Sequence, residues 1–197
     1  TIEEGDLFLT TDPYACNGAI SHINDWLLLR PIFKDGRLIA YAAMFGHMTD
    51  VGGKVPGSLP TDAREIFEEG IRVPPLKIFK NDELQSDVLN LILHNSRMPT
   101  WNRSDFNALV AAMRTAEKRV IEMAERFGDD EYYSALDELL ARNKRAMARL
   151  IKDTVPTKKQ HFEDYICDDG LGMGPYRIKC SMWRDKDKVI FDFDGTD

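Results

Sequence analysis

The chain has 197 residues, 43% of them hydrophobic and 30% charged, with a formal net charge of −7. That length can bury a full core, and 10% aromatic residues together with long apolar runs exclude a mainly disordered state. No run of eighteen apolar residues occurs, which excludes a membrane-spanning helix, and 26 basic against 33 acidic residues leave no overall positive field to draw in nucleic acid.

Residues 1 to about 80 read as β and loop. Leu7 to Thr10 is a short apolar strand running into the turn signal Asp12-Pro13. Trp26 to Phe33 and Arg37 to Phe45 are apolar runs separated by Lys34-Asp35-Gly36, and Asp-Gly between such runs predicts a hairpin. Neither run alternates cleanly, so both faces of this hairpin are expected to be covered. The stretch Gly52 to Pro60 carries too much Gly and Pro for a ladder or a helix. Asp62 with Glu65 resembles a capping box opening a short helix that ends near Gly70. Ile71 to Lys80, with Pro74-Pro75 inside it, is at best an edge strand.

Residues 81–155 read as helical. Asp87 to His94 is a short apolar helix. After Pro99, Ser104 is placed to cap a long helix whose apolar positions, from Phe106, Leu109, Val110 and Met113 to Val120, Ala124 and Phe127, recur at threes and fours. Gly128 suits a C-cap, and Asp129 or Asp130 opens a second helix with Tyr133, Leu136, Leu140, Met147, Leu150 and Ile151 on one side. So short a connection between two such stripes predicts an antiparallel helical hairpin. Residues 156–197 return to β, with strands expected over Phe162 to Ile166, Tyr176 to Trp183 and Val189 to Phe193. The expected fold class is α+β: a β-rich mixed or antiparallel sheet domain from which the helical hairpin projects. Both ends of the sequence read as cut from a larger polypeptide. Cys16, Cys167 and Cys180 are an odd, scattered set that suits a reducing cytosol better than a disulfide framework, so a cytoplasmic location is expected.

The residues that point to chemistry are His22-Ile23-Asn24-Asp25 and His47-Met48-Thr49-Asp50, two His-x-x-Asp groups at opposite ends of the predicted hairpin. If the strands pair, position 25 falls beside position 47 at the hairpin's open end. Two imidazoles and a carboxylate suit Zn²⁺, Mn²⁺ or Fe²⁺ and leave coordination positions open. A single strand-end histidine usually only hydrogen-bonds a nearby carbonyl or carboxylate, but two, each with an Asp three residues on, tilt toward ligation. His94, at a helix end, reads as structural, and His161 as solvated. The basic run Arg142, Lys144, Arg145, Arg149 and Lys152 reads as a solvated helix face rather than a nucleic-acid footprint. Glu163, Asp164, Asp168 and Asp169 are acidic without the spacing of a calcium loop. Gly52-Gly53 with Pro56-Gly57-Ser58 is either a substrate-covering or phosphate-contacting loop or a tight backbone crossing, and it lacks the order of a P-loop.

Taken in order, the motifs resemble the hydantoinase B/oxoprolinase family. The matching pieces are Gly5-Asp6-Leu7-Phe8, Thr11-Asp12-Pro13-Tyr14, His22-x-x-Asp25, Pro31 to Gly36, Gly46 to Gly53, Pro56-Gly57-Ser58, Ile71 to Pro75, Phe162-Glu163-Asp164 with Asp168-Asp169-Gly170, and Phe193 to Thr196. The resemblance implies a piece of a several-fold longer protein that works with a hydantoinase A-like subunit or domain, which binds ATP and Mg²⁺, in a hetero-oligomer. It also implies a divalent metal (Mn, Zn or Fe) on His22, Asp25 and His47, by likeness to the ketone carboxylases. Asp50 would orient His47 or act as a further ligand, and Asp50 and Asp12 are the candidate catalytic carboxylates. The expected function is the metal-binding component of an ATP-dependent ketone carboxylase of the acetone/acetophenone type, using bicarbonate. The alternatives are an ATP-dependent hydrolase of cyclic amides (hydantoin, oxoproline or lactam) and a non-catalytic scaffold subunit. Where the family commonly has a short Gly-Gly-Thr segment before His22, this chain has the longer, more apolar Ala15 to Ser21, and it has Ile-Asn rather than Leu-Pro between His22 and Asp25. Ala19 and Ile20 there would suit an apolar substrate such as a ketone.

Overall fold

The computed structural model describes all of residues 1–197 and divides them into two compact units, Thr1–Arg126 and Phe127–Asp197. The first unit contains β1 (Leu7–Thr10), β2 (Asp25–Lys34), β3 (Arg37–His47), β4 (Leu76–Lys80), β5 (Glu83–Leu84) and α1 (Ser86–His94), and most of α2 (Pro99–Phe127). Its strands form one antiparallel sheet in the order β3-β2-β1-β4-β5. The β2–β3 hairpin turns at Asp35-Gly36, whose φ values of 51° and 73° match the tight turn that Asp-Gly favours. Pairing continues to Asp25↔His47, so both residues belong to the ladder rather than to the flanking loops.

The core lies between one face of this sheet and the helices α1 and α2. Leu7, Leu9, Trp26, Leu28, Ile32 and Ile78 from the sheet meet Leu89, Ile92 and Leu93 of α1 and Phe106, Val110 and Met113 of α2. Trp26 meets the Phe106 ring edge-on at 6.3 Å between centroids. Arg30, buried on that face, is held by Glu117 of α2 and by Asp82, each at 2.8 Å. Burial works against its charge, and the two carboxylates outweigh that effect, so its pKa is raised.

Four expectations change here. β2 is covered, but β3 is an edge strand exposed along most of its length, so the hairpin's faces are not equally buried. The strand expected over Ile71 to Lys80 begins at Leu76, past both prolines, and runs between β1 and β5 instead of at an edge. The capping box forms three residues later than expected, between Glu65 and Glu68, and opens only the 3₁₀ turn Ile66–Glu68. Finally, α2 starts at Pro99 instead of near Ser104: proline is pre-organised for a first helical position, and the Met98 N–H donates to Ser96 Oγ at 2.9 Å just before it.

The second unit carries α3 (Asp129–Thr154), which begins after the single residue Gly128, and a three-stranded antiparallel sheet of β6 (Gln160–Ile166), β7 (Tyr176–Asp185) and β8 (Lys188–Asp192). β7 and β8 are joined at Lys186-Asp187, with Lys186 at φ 55°. Arg184 ties the sheet to the end of α3, its backbone N–H donating to the Pro156 carbonyl and its Nε to that of Val155. The expected apolar side of α3 is largely exposed: Leu140 and Met147 are 69% and 56% accessible. No helix of either unit is long and apolar enough to cross a membrane.

Candidate functional site

The register of β2 and β3 places Asp25 opposite His47 at the open end of the hairpin. His47 Nδ1 and Asp25 Oδ1 are 2.8 Å apart, with Asp25 nearly buried and the His47 side chain 45% exposed. His22, just before β2, meets His47 edge-on with ring centroids 5.8 Å apart. Three residues that the sequence spaces at 22, 25 and 47 therefore form one connected chain of side chains.

Backbone and side-chain bonds hold that end closed. The Met48 N–H donates to the Asn24 carbonyl, and Asn24 Nδ2 donates to the carbonyls of Met48 at 3.0 Å and Gly57 at 3.2 Å. Asn24 is fully buried, so this staple is shielded from competing water. In the sequence Asn24 stands only as a departure from a motif; nothing local signals that its amide bridges to residue 57.

The carboxylate Asp50 does not reach the histidines. Its Oδ1 accepts from the N–H groups of Gly52 and Arg97, and its Oδ2 from the Gly57 N–H and Arg97 Nη1, all at 2.9–3.0 Å. Burial raises its pKa most, but the N–H donors of Arg97, Gly57 and Gly52 with the Arg97 guanidinium together prevail, and its carboxyl is held below the usual value. Arg97 also donates to the carbonyls of Gly52, Gly53 and Val55, while Asn102 Nδ2 and Ser96 Oγ donate to the Asp50 carbonyl. Asp50 is thus the anchor of the 50–58 loop, with Asp25 in the position beside His47. At Gly52 the backbone has φ 93°, and a Cβ would lie 2.5 Å from the Asn95 carbonyl oxygen, so only glycine fits this crossing.

Asp12 is likewise occupied by its own loop. Its Oδ1 accepts from the N–H groups of Tyr14 and Ala15, and Arg72 Nε lies 3.4 Å from Oδ2. Ile20 is buried, at 5% exposure, so it lines the core rather than a substrate surface; Ala19 beside it is exposed. His94 bonds the Asn90 carbonyl and His161 the Ser181 hydroxyl. Asp169 closes its own turn onto Leu171 and Met173, and the basic face of α3 is solvent-exposed.

Nowhere do three or more His, Cys, Asp or Glu side chains already converge as a set of metal donors. At residues 22, 25 and 47, one oxygen of Asp25 is taken up by the contact with His47 Nδ1. The ring separation is nonetheless close to the about 5 Å between centroids of two imidazoles on one tetrahedral ion with bonds of about 2.0–2.1 Å. Two imidazoles and one carboxylate linked through His47 are a donor set that a divalent transition metal fits. A recess of about 340 Å³ opens beside His47, with Gly46, Met48, Asp105 and Leu109 in its wall.

A sequence profile of the hydantoinase B/oxoprolinase family matches residues 1–197. Over 181 residues the chain is 36% identical to the caprolactamase subunit beta of Pseudomonas jessenii, covering 92% of this chain and 30% of that protein. Over 198 residues it is 30% identical to the acetophenone carboxylase delta subunit of Aromatoleum aromaticum, covering 99% of this chain and 28% of that subunit. The crystal structure of the ATP-dependent caprolactamase from Pseudomonas jessenii matches the fold with a TM-score of 0.87 at 33% identity, over 96% of this chain and 32% of that one. The chain thus spans about 30% of the length of these curated relatives.

Proposed function

This chain belongs to the hydantoinase B/oxoprolinase family, and we propose that it carries the carbonyl-handling site of an ATP-dependent enzyme that opens a cyclic amide. The observation that carries this reading is the His22–His47–Asp25 cluster, set at the open end of a hairpin in a chain 36% identical to a caprolactamase subunit. The buried Asp25 carboxylate, an acceptor only when ionised, pairs with His47 Nδ1, which favours the tautomer that carries its proton on Nδ1 and keeps the Nε2 lone pair for a ligand. His22, exposed and edge-on to that ring, is free to bind or to move a proton at a bound substrate. His22, Asp25 and His47 would hold a divalent metal (Mn, Zn or Fe), which when bound supplies Lewis-acid polarisation of a carbonyl oxygen. The Asn24 staple and the Asp50–Arg97 anchor keep the two ends of the hairpin and the 50–58 loop in place around this cluster.

ATP and Mg²⁺ belong, in this reading, to a hydantoinase A-like partner subunit that activates the amide, in a cytoplasmic hetero-oligomer. Support comes from the relatives, which are named as subunits, and from the ATP dependence in the name of the caprolactamase. A second reading, carboxylation of a ketone with bicarbonate, rests on the 30% identity to an acetophenone carboxylase subunit. Of the two apolar side chains that favour it in the sequence, Ile20 is buried and Ala19 is exposed, and the higher identity lies with the caprolactamase.

The test uses the full-length protein assembled with its partner. Elemental analysis of wild type and of His22→Ala with His47→Ala should find about one equivalent of a divalent metal in the first and none in the second. ATP turnover should be stimulated by ε-caprolactam without bicarbonate. Turnover that requires both acetophenone and bicarbonate would move the assignment to the carboxylase, and metal retained in full by the double variant would remove these residues from the site.

A further inference from the structure

On the face of the first unit's sheet opposite α1 and α2 lies a recess of about 250 Å³. Its wall is formed by Ile2, Phe8, Cys16, Leu27, Leu29 and Pro75, with Leu9 and Thr10. The polar side chains in that wall are already occupied: Thr10 Oγ1 donates to the Val73 carbonyl at 2.9 Å and accepts from the Asp12 N–H at 3.1 Å, and Cys16 Sγ donates to the Pro13 carbonyl at 3.6 Å. A ligand's polar atoms find no free partner there, so the recess selects hydrocarbon.

Its position connects it to the histidine cluster. Side chains alternate along a strand, so Asp25, Leu27 and Leu29 share one face of β2, and their partners His47, Phe45 and Ala43 share the same face of β3. Neither ladder is bulged over these residues, and β1 continues the face with Thr10 opposite Leu27 and Phe8 opposite Leu29. The recess therefore begins one side-chain step, about 7 Å along the strand, from the Asp25–His47 pair. Cys16 closes it from the segment that leads to His22.

We propose that this recess is the subsite for the hydrocarbon part of the substrate, and that the enzyme acts on carbonyl compounds carrying a ring of about six or seven atoms. The inference rests on the histidine cluster being the reacting centre. An apolar cavity of about 150 Å³ already takes a benzene ring, so 250 Å³ holds a six- or seven-membered ring with its carbonyl directed along β2 toward Asp25 and His47. A drug-sized ligand would need more room, with pockets for such molecules starting at about 300 Å³. Leu27 and Leu29 then serve as specificity-determining residues, with Cys16 as the facing wall.

The experiment compares wild type with Leu29→Trp, which fills the recess, and with Cys16→Phe, which narrows it from the other wall, in the full-length protein assembled with its partner. Two readouts are taken: equilibrium binding of ε-caprolactam and acetophenone against acetone and 2-pyrrolidinone, and kcat/KM for whichever of these is turned over. Both variants should lower the preference for the larger-ring probes over the small ones by about tenfold or more, the scale at which apolar pockets discriminate single methylenes, with metal content unchanged. An unaltered preference would overturn the inference. So would loss of assembly in both variants, which would make the recess a packing surface for the rest of the polypeptide. Binding decides this inference even if no probe stimulates ATP turnover, an outcome that would count against the proposed reaction instead.

Discussion

Replacing Asp50 by Asn keeps the side chain's shape and turns one of its two acceptor oxygens into an NH₂ group. Each carboxylate oxygen of Asp50 receives two donors, Gly52 and Arg97 N–H on one and Gly57 N–H and Arg97 Nη1 on the other. Whichever way the amide turns, two donors face a donor. Hydrogen bonds to a charged acceptor contribute about 1.5–3 kcal/mol each, so two lost bonds set an upper range of about 3–6 kcal/mol. The Arg97 side chain is 42% exposed, so water replaces part of its share and the expected loss falls to about 3 kcal/mol. The sign of the pH dependence follows from the depressed pKa. The carboxylate's stabilisation is fully present above the unfolded value of about 3.9 and is lost as pH falls through the lower folded value, so Asp50→Asn should flatten the acid limb of the stability profile. Urea denaturation of the purified protein measures the loss, and hydrogen exchange at the Gly52 and Gly57 amides locates it. A change of less than about 0.5 kcal/mol with both amides still protected would refute the assignment of Asp50 as the loop's anchor.

Asp25→Asn should leave the fold intact and weaken divalent-metal affinity by at least about 10- to 100-fold, because a neutral amide replaces an anionic donor and the charge beside His47 Nδ1 is lost; unchanged affinity in a metal titration would show that Asp25 has no part in holding the metal. Asn24→Ala removes one buried and one part-buried hydrogen bond and leaves the Met48 and Gly57 carbonyls without this donor, at a cost of about 1–3 kcal/mol in thermal or chemical unfolding. Arg30→Ala strands Glu117, 20% exposed, against the sheet, and should cost about 2 kcal/mol, less than for a fully buried pair because Asp82 is largely solvated. Gly46→Ala brings a Cβ to 3.1 Å from Leu109 Cδ1 beside His47; that side chain can yield, so about 1 kcal/mol is expected with a narrower recess next to the imidazole, readable as reduced accessibility of His47 to diethyl pyrocarbonate.

What could be read from the residue order was whatever depends on near neighbours. The Asp35-Gly36 turn and the apolar runs on either side of it settle the hairpin, and the hairpin's length alone brings residue 25 beside residue 47. The threes and fours of Phe106, Val110 and Met113 likewise settle which side of α2 meets the sheet, since a helix has one stripe to bury. Contacts between residues far apart in the chain were not legible. Asp50 looked like a partner for His47, but Arg97, forty-seven residues on, takes its carboxylate, and Asn24 looked incidental until the fold brought Gly57 under its amide. The exposure of β3, the burial of Ile20 and the recess between Cys16 and Leu29 follow from which elements cover which face of the sheet, and local spacing carries no record of that. The sequence by itself therefore determined the hairpin, the helices and the kinds of side chain gathered at residues 22, 25 and 47. The tertiary structure decided which carboxylate touches His47, because donors and acceptors far apart in the chain compete for the same oxygens only once the chain has folded.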